Sequence, residues 1–308
     1  ERGGLKYETL EGLEMLAKEF DFTLLEAYLC DLLDKKYNQD VFYLNDIPTA
    51  MKEMGWNVAA NLMNRWFNAK AYVMTDEIRT NIESSRKINS DRYDDKTIKI
   101  EWAKKFNSTS SAFEITKKHW KDDNSIGFIR KILSRNGWKS GSVTPIYIGS
   151  ELMNAYELNI LGSIKNTSFG LAFDTIDELR GALGKATLKL SIVGHSEYIK
   201  KDIFIVKKLG LYIRDNYEFS GDSEFLGVWS KKRVLSKAET TQYMALYYTG
   251  AFRKLNQLYP GFVPVFNKDF STWRENHLIE KKESGGDFVV FSDVEWFEPQ
   301  KTDAMIEL

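Results

Sequence analysis

Apolar positions repeat first at helical spacing and then, from about residue 173, at the two-residue alternation of a strand. Near the start, Leu24, Leu25, Tyr28, Leu29, Leu32 and Leu33 form one stripe behind a capping box of Thr23 and Glu26. "NDIPTAMKEMGWNVAANLMNRWF" predicts two helices broken near Gly55. Pro48 stands in a first turn behind an Asn45 or Asp46 cap, and Val58, Ala59, Leu62, Met63, Trp66 and Phe67 form a core-facing stripe. Residues 76–98 are polar and charged and read as a linker or exposed loop. Helix resumes over 99–139, and the Gly, Ser, Pro and Asn of 140–172 predict loops with short strands.

The second half reads differently. "DTIDELRGALGK" predicts a short helix capped by Thr175 and Glu178 and stopped at Gly184. In "ATLKLSIVG", Ala186, Leu188, Leu190 and Ile192 alternate with Thr187, Lys189 and Ser191, which predicts a half-buried strand with its polar side in water. "IFIVKKLGLYIRDNYEF" continues as one long strand or two. Ser236 and Glu239 cap a helix that ends at Pro260–Gly261, "DFSTWRENH" is a short helix, and "SGGDFVVFSDVEWF" is a turn followed by a hydrophobic strand. The fold class is therefore α+β: a mainly helical region over 1–172, then a bent, mainly antiparallel sheet with inserted helices over 173–308, the two forming two domains or one.

Composition narrows the chemistry. With 43% hydrophobic and 14% aromatic residues the 308-residue chain can bury a core, and disorder is not expected. The net charge of −1 gives no global attraction to nucleic acid, although "KKHWKDDNSIGFIRKILSRNGWK" and "WSKKRVLSK" mix cations with aromatics as a phosphate-binding surface would. Cys30 is the single cysteine, so neither an intrachain disulfide nor a cysteine-rich zinc site can form. No run approaches the about 18–20 apolar residues of a membrane span, and "ERGGLKYETL" has no apolar signal-peptide core. The absence of an initiator methionine predicts an expressed fragment or a piece cut from a longer chain.

The candidate chemistry gathers at the end of the long strand. With period two, Leu209, Leu211, Ile213, Asp215 and Tyr217 share one face, while Gly210, Tyr212, Arg214, Asn216 and Glu218 share the other. A carboxylate closing an apolar row suits a general base or a metal ligand; the rival reading, favoured by residue type alone, is a cap on the following turn. Asp222 and Glu224 of "SGDSEF" are spaced as in a weak cation loop, so Asp215 and Asp222 are the candidate ligands for a divalent ion such as Mg²⁺. His277 follows Arg274 by three residues and can share its helix face; with Asp287 and Asp293 these build either an anion site or a structural Arg–Asp pair. The sequence has no GxSxG elbow, Walker loop or GxGxxG turn.

"MKEMGWNVAANLMNRWF", "LYIRDNYEFSGDSEFLGVW" and "FSTWRENH…GGDFVVFSDVEW" together resemble a functionally uncharacterised family of bacterial proteins, over about residues 40–297 and in the same order. Its members tend to be encoded beside type VI secretion spike genes or fused as C-terminal cargo of Rhs proteins. The resemblance implies an antibacterial effector made in the bacterial cytoplasm and secreted into a target cell. It further implies a cognate immunity protein and a parent Rhs cage or spike from which the domain is released by self-cleavage. One motif, Asp215-Asn216-Tyr217-Glu218, is also similar to the strand-ending Asp-x-Tyr-Asp of colicin M-type toxins, which hydrolyse a lipid-linked pyrophosphate. Glu218 departs from that motif, and the His-Arg element that follows it in those toxins is missing. By that likeness the chain is a hydrolase of phosphoester or pyrophosphate bonds. Asp215 is then the base, Glu218 and Tyr217 assist, and Arg274 and His277 stabilise or protonate the leaving group. The alternatives are a non-catalytic binding or spike-loading module and a nuclease-like toxin.

Overall fold

Strands β4 (Ala186–Tyr198) and β5 (Asp202–Tyr217) set the plan of the computed structural model, which describes residues 41–80, 88–170, 176–221 and 224–308. They form a long antiparallel hairpin running from Tyr198↔Asp202 at the turn to Thr187↔Arg214, with one register shift between Val193 and Gly194. Gly194 is required at that bulge, because a Cβ there would stand 2.1 Å from the Ile205 carbonyl oxygen. The segment read as one strand or two is thus a single strand.

The other edge of β5 is completed by residues far along the chain. Strand β8 (Phe288–Ser292) pairs antiparallel with Arg214–Tyr217, β9 (Glu295–Phe297) with Leu209–Leu211, and β10 (Met305–Glu307) with Ile203–Ile205. Strands β2 (Tyr147–Ile148) and β3 (Lys165–Phe169) pair with β4, and β1 (Tyr93–Ile98) runs parallel to β8. The described residues therefore hold a mixed eight-stranded sheet, mainly antiparallel with one parallel edge, and the protein is α+β. β1 corrects the linker reading of 76–98. Its "YDDKTI" has no apolar alternation, yet Asp94 is buried because it accepts from Thr97 N (2.8 Å), Thr97 Oγ1 (3.0 Å) and Arg65 Nη1 (3.3 Å).

Contacts divide the chain into two compact units. The sheet unit comprises Gly55–Phe219 and Ser284–Leu308; the helical unit comprises the described residues up to Met54 together with Ser220–Glu283. In the sheet unit, α2 (Asn57–Asn68) and α5 (Asn107–Lys118) lie over one face and α7 (Ala155–Leu161) over the other. The same unit contains α3 (Asp76–Thr80), α4 (Ile100–Ala103), α6 (Asp123–Arg135) and α8 (Glu178–Leu183). The stripe predicted on α2 is buried from Ala59 to Phe67, with Val58 at its margin. Helix α8 is capped by Asp177, which accepts from Arg180 N, while Thr175 lies outside the described residues. The Leu24–Leu33 stripe and Cys30 lie outside them too.

The strand containing Lys189 is not half-buried. Lys189 and Ser191 are 5% and 0% exposed, because α7 covers the side expected to meet water.

The helical unit holds α1 (Ile47–Glu53), a β6 (Phe225–Trp229)–β7 (Val263–Phe266) ribbon, α9 (Lys237–Tyr248), α10 (Phe252–Leu258) and α11 (Asn267–Ile279). Val228, Leu235, Tyr243, Leu255 and Tyr259 form its core. The Ser236–Glu239 capping box starts α9 as predicted. The helix does not run on to Pro260, however: Gly250 adopts φ 71, a left-handed turn that starts a separate helix.

Candidate functional site

The end of β5 sits deep in the sheet. Asp215 is opposite Val290 and Tyr217 opposite Phe288, so both carboxylate and phenol are on the face predicted for them. Asp215 is 9% exposed and is already engaged by neighbouring groups. Tyr217 stacks on Phe288 with centroids 4.9 Å apart, and its hydroxyl donates to Met63 Sδ at 3.6 Å. Burial, with Asp215 nearby, pushes its phenol well above the usual tyrosine range. Glu218 accepts two hydrogen bonds from Arg79 Nε, at 2.7 and 2.9 Å, and Arg79 also pairs with Asp76. Its hydrogen bonds to Glu218, with smaller help from the Asp76 charge, raise the Arg79 guanidinium above its ordinary value. The arrangement anchors α3 on the strand end.

Arg274 and His277 share α11, as their spacing requires, and so belong to the helical unit, whereas Asp215, Tyr217 and Glu218 belong to the sheet unit. Arg274 is 4% exposed. His277 stacks on Trp273 at 3.6 Å, with its Nδ1 2.9 Å from the Trp273 carbonyl oxygen. Within the sheet unit, Asp287 accepts from Trp66 Nε1 (2.9 Å) and Met74 N (3.0 Å), and Asp293 from Ile100 N (2.7 Å). Both aspartates tie secondary elements together inside the sheet unit.

Glu218 is held by Arg79, Asp222 lies outside the described residues, and among the described residues no three His, Cys, Asp or Glu side chains are grouped to hold a metal.

A different place in the helical unit has the chemistry of a ligand site. A cavity of about 290 Å³ is lined by Ser230, Lys231, Lys232 and Arg233 on one side and by Pro260, Gly261 and Phe262 on the other. The Ser230 hydroxyl shapes the turn, accepting from Lys232 N and Arg233 N at 3.3 Å each. Arg233 lies 5.0 Å over the Phe262 ring and forms a two-pronged pair with Glu239 at 2.8 and 2.9 Å. That pair holds the Glu239 carboxyl down at about 2. Among the described residues lining the cavity three are cations and none is a carboxylate; Glu239 pairs with Arg233 from outside, and Lys231 is engaged as well. Such a set favours an oxyanion over a cation or an apolar ligand. The run "WSKKRVLSK" signalled it in the sequence, whereas Pro260–Phe262, across the cavity, left no local trace. The other basic segment, "KKHWKDDN…", is largely structural: Trp120 is buried, and Asp122 caps α6 while pairing with Lys165.

Among the described residues no helix is long and apolar enough to cross a membrane. No curated protein and no solved structure matches the chain. A family match runs over residues 42–307, nearly all of the described chain, and the protein therefore belongs to a family of unknown function, DUF6402.

Proposed function

We propose that the chain is an antibacterial effector domain, delivered by a type VI or Rhs system, that engages a phosphate-bearing target through the cationic cavity of the helical unit. The observation that carries the reading is the Lys231–Lys232–Arg233 wall facing Phe262, with no carboxylate among the described residues of its lining. The resemblance of three ordered motifs to secretion-associated proteins supports the delivery context, and with it a cognate immunity protein and a parent cage or spike. A hydrolytic form, not built on that cavity, has Asp215 of the sheet unit as base on a phosphoester or pyrophosphate bond. A second reading, a non-catalytic binding or loading module, is favoured by the engagement of Glu218 by Arg79 and of Tyr217 by Phe288 and Met63.

The test expresses the chain in the bacterial cytoplasm and, separately, with an export signal, and follows viability. Killing only after export places the target in the envelope; killing from the cytoplasm points to nucleic acid, nucleotides or translation. A folded Lys231→Ala/Lys232→Ala variant should lose toxicity, and full toxicity would refute the role of the cavity. Asp215→Asn separates the two forms: a folded, fully toxic variant excludes hydrolysis at that carboxylate.

A further inference from the structure

The α7-covered face of the sheet buries more positive charge than the described residues lining it neutralise. Lys189 of β4 stands opposite Tyr212 of β5, and Arg214 follows two residues on along the same face. They are 5%, 0% and 7% exposed. Two buried cations on one face are strongly unfavourable unless an anion and further hydrogen bonds accompany them. Among the described residues lining this face there is no carboxylate. α7 contributes Tyr156 and Asn159, β8 contributes Val289 and Phe291, and β1 contributes Tyr93. α3 offers the carbonyls of Ile78 and Arg79, and β4 adds Thr187 and Ser191. Asp215, adjacent in sequence to Arg214, belongs to the opposite face; its charge favours the Arg214 guanidinium but does not offset that group's burial.

The hydrogen bonds leave donors over. Lys189 Nζ donates to Asn159 Oδ1 at 2.8 Å, Arg214 Nη2 to the Ile78 carbonyl at 2.7 Å, and Ser191 Oγ to the Gly162 carbonyl at 2.8 Å. Arg214 Nε has no acceptor. The Tyr212 hydroxyl approaches Ser191 without making a hydrogen bond of good geometry. Lys189 keeps two further N–H groups. Against these stands the unpartnered Asn216 Oδ1, one acceptor for several donors.

We infer that this face is a buried binding site for a small oxyanion of the carboxylate or phosphate class, bridging Lys189 and Arg214 and accepting from the Tyr212 hydroxyl. The anion supplies the missing charge and takes up the idle donors. Without it, burial and the Arg214 charge depress the Lys189 ammonium to about 7. The site is in the sheet unit and does not depend on the cavity proposed in the helical unit.

The experiment follows the Lys189 side chain of the full chain by NMR while pH is varied, in chloride, inorganic phosphate or acetate. The resonance is assigned from Lys189→Met. Phosphate or acetate should raise the titration midpoint by about one pH unit or more, equivalent to about tenfold tighter binding to the charged form. A response to phosphate alone assigns the phosphate class, and one to acetate alone the carboxylate class. Tyr212→Phe, which preserves packing, should weaken the response about tenfold. Lys231→Ala/Lys232→Ala should leave it intact, which separates this site from the cavity. A midpoint that stays in place with both anions, or a Tyr212→Phe protein that responds like the parent, overturns the inference.

Discussion

The two faces of the β4–β5 ladder share one register and nearly equal depth, yet differ in chemistry. On one, Leu188, Leu190 and Ile192 meet Ile213, Leu211 and Leu209, all fully buried. On the other, Lys189 and Ser191 meet Tyr212 and Gly210, beside Arg214. The first face gains stability from every methylene it hides, while the second gives some of that gain back by desolvating charge. Burial alone therefore does not identify core: the apolar face is packing, and the polar one is held in place at an energetic cost.

The contrast can be broken from either side. Leu211→Ala should cost about 2–5 kcal/mol, read as a lower denaturant midpoint with an unchanged slope. Lys189→Met should act in the opposite direction, stabilising the anion-free protein by about 2–4 kcal/mol at pH 7. The pH dependence gives the sign. Lys189 titrates at 10.5 ordinarily and at about 7 in the fold. Below pH 7 both states carry the proton and the folded one bears the desolvation. Between pH 7 and 10.5 the unfolded state holds more protons, so stability rises across that window, and the rise should vanish in Lys189→Met. Trp66→Phe removes a buried donor to Asp287 without emptying the core, and should cost about 1–3 kcal/mol by the same melts. Glu239→Gln tests the half-exposed charge of the helical unit. After solvent screening its loss should be below about 1 kcal/mol. Because the folded carboxyl is held at about 2 against 4.5, that contribution is present above pH 4.5 and fades as pH falls toward 2.

What the sequence revealed was local. The Ser236–Glu239 capping box, the Ala59–Phe67 stripe and the faces of β5 follow from spacings of two to four residues, and the structure repeats them. The α+β class followed from the same periodicities. What stayed hidden depends on distant partners. β1 lacks alternation and is recognisable only through its pairing with β8. Lys189 and Ser191 looked solvated because nothing nearby announced α7 above them. Asp215 was assigned to the correct face but not to its depth, and Glu218 was spoken for by an arginine 139 residues away. Of the candidate site, the basic run beside Trp229 was readable, but its enclosure by Pro260–Phe262 was not.

The pairing of β5 with β8, β9 and β10 also has a consequence for synthesis on the ribosome. Once Tyr217 has left the exit tunnel, the partners for that edge are still to come, β8 starting roughly 70 residues later. At ordinary elongation speeds the delay is several seconds, during which a long apolar strand has only its β4 side paired. The nascent chain is therefore a natural client for a holding chaperone until translation passes Phe288.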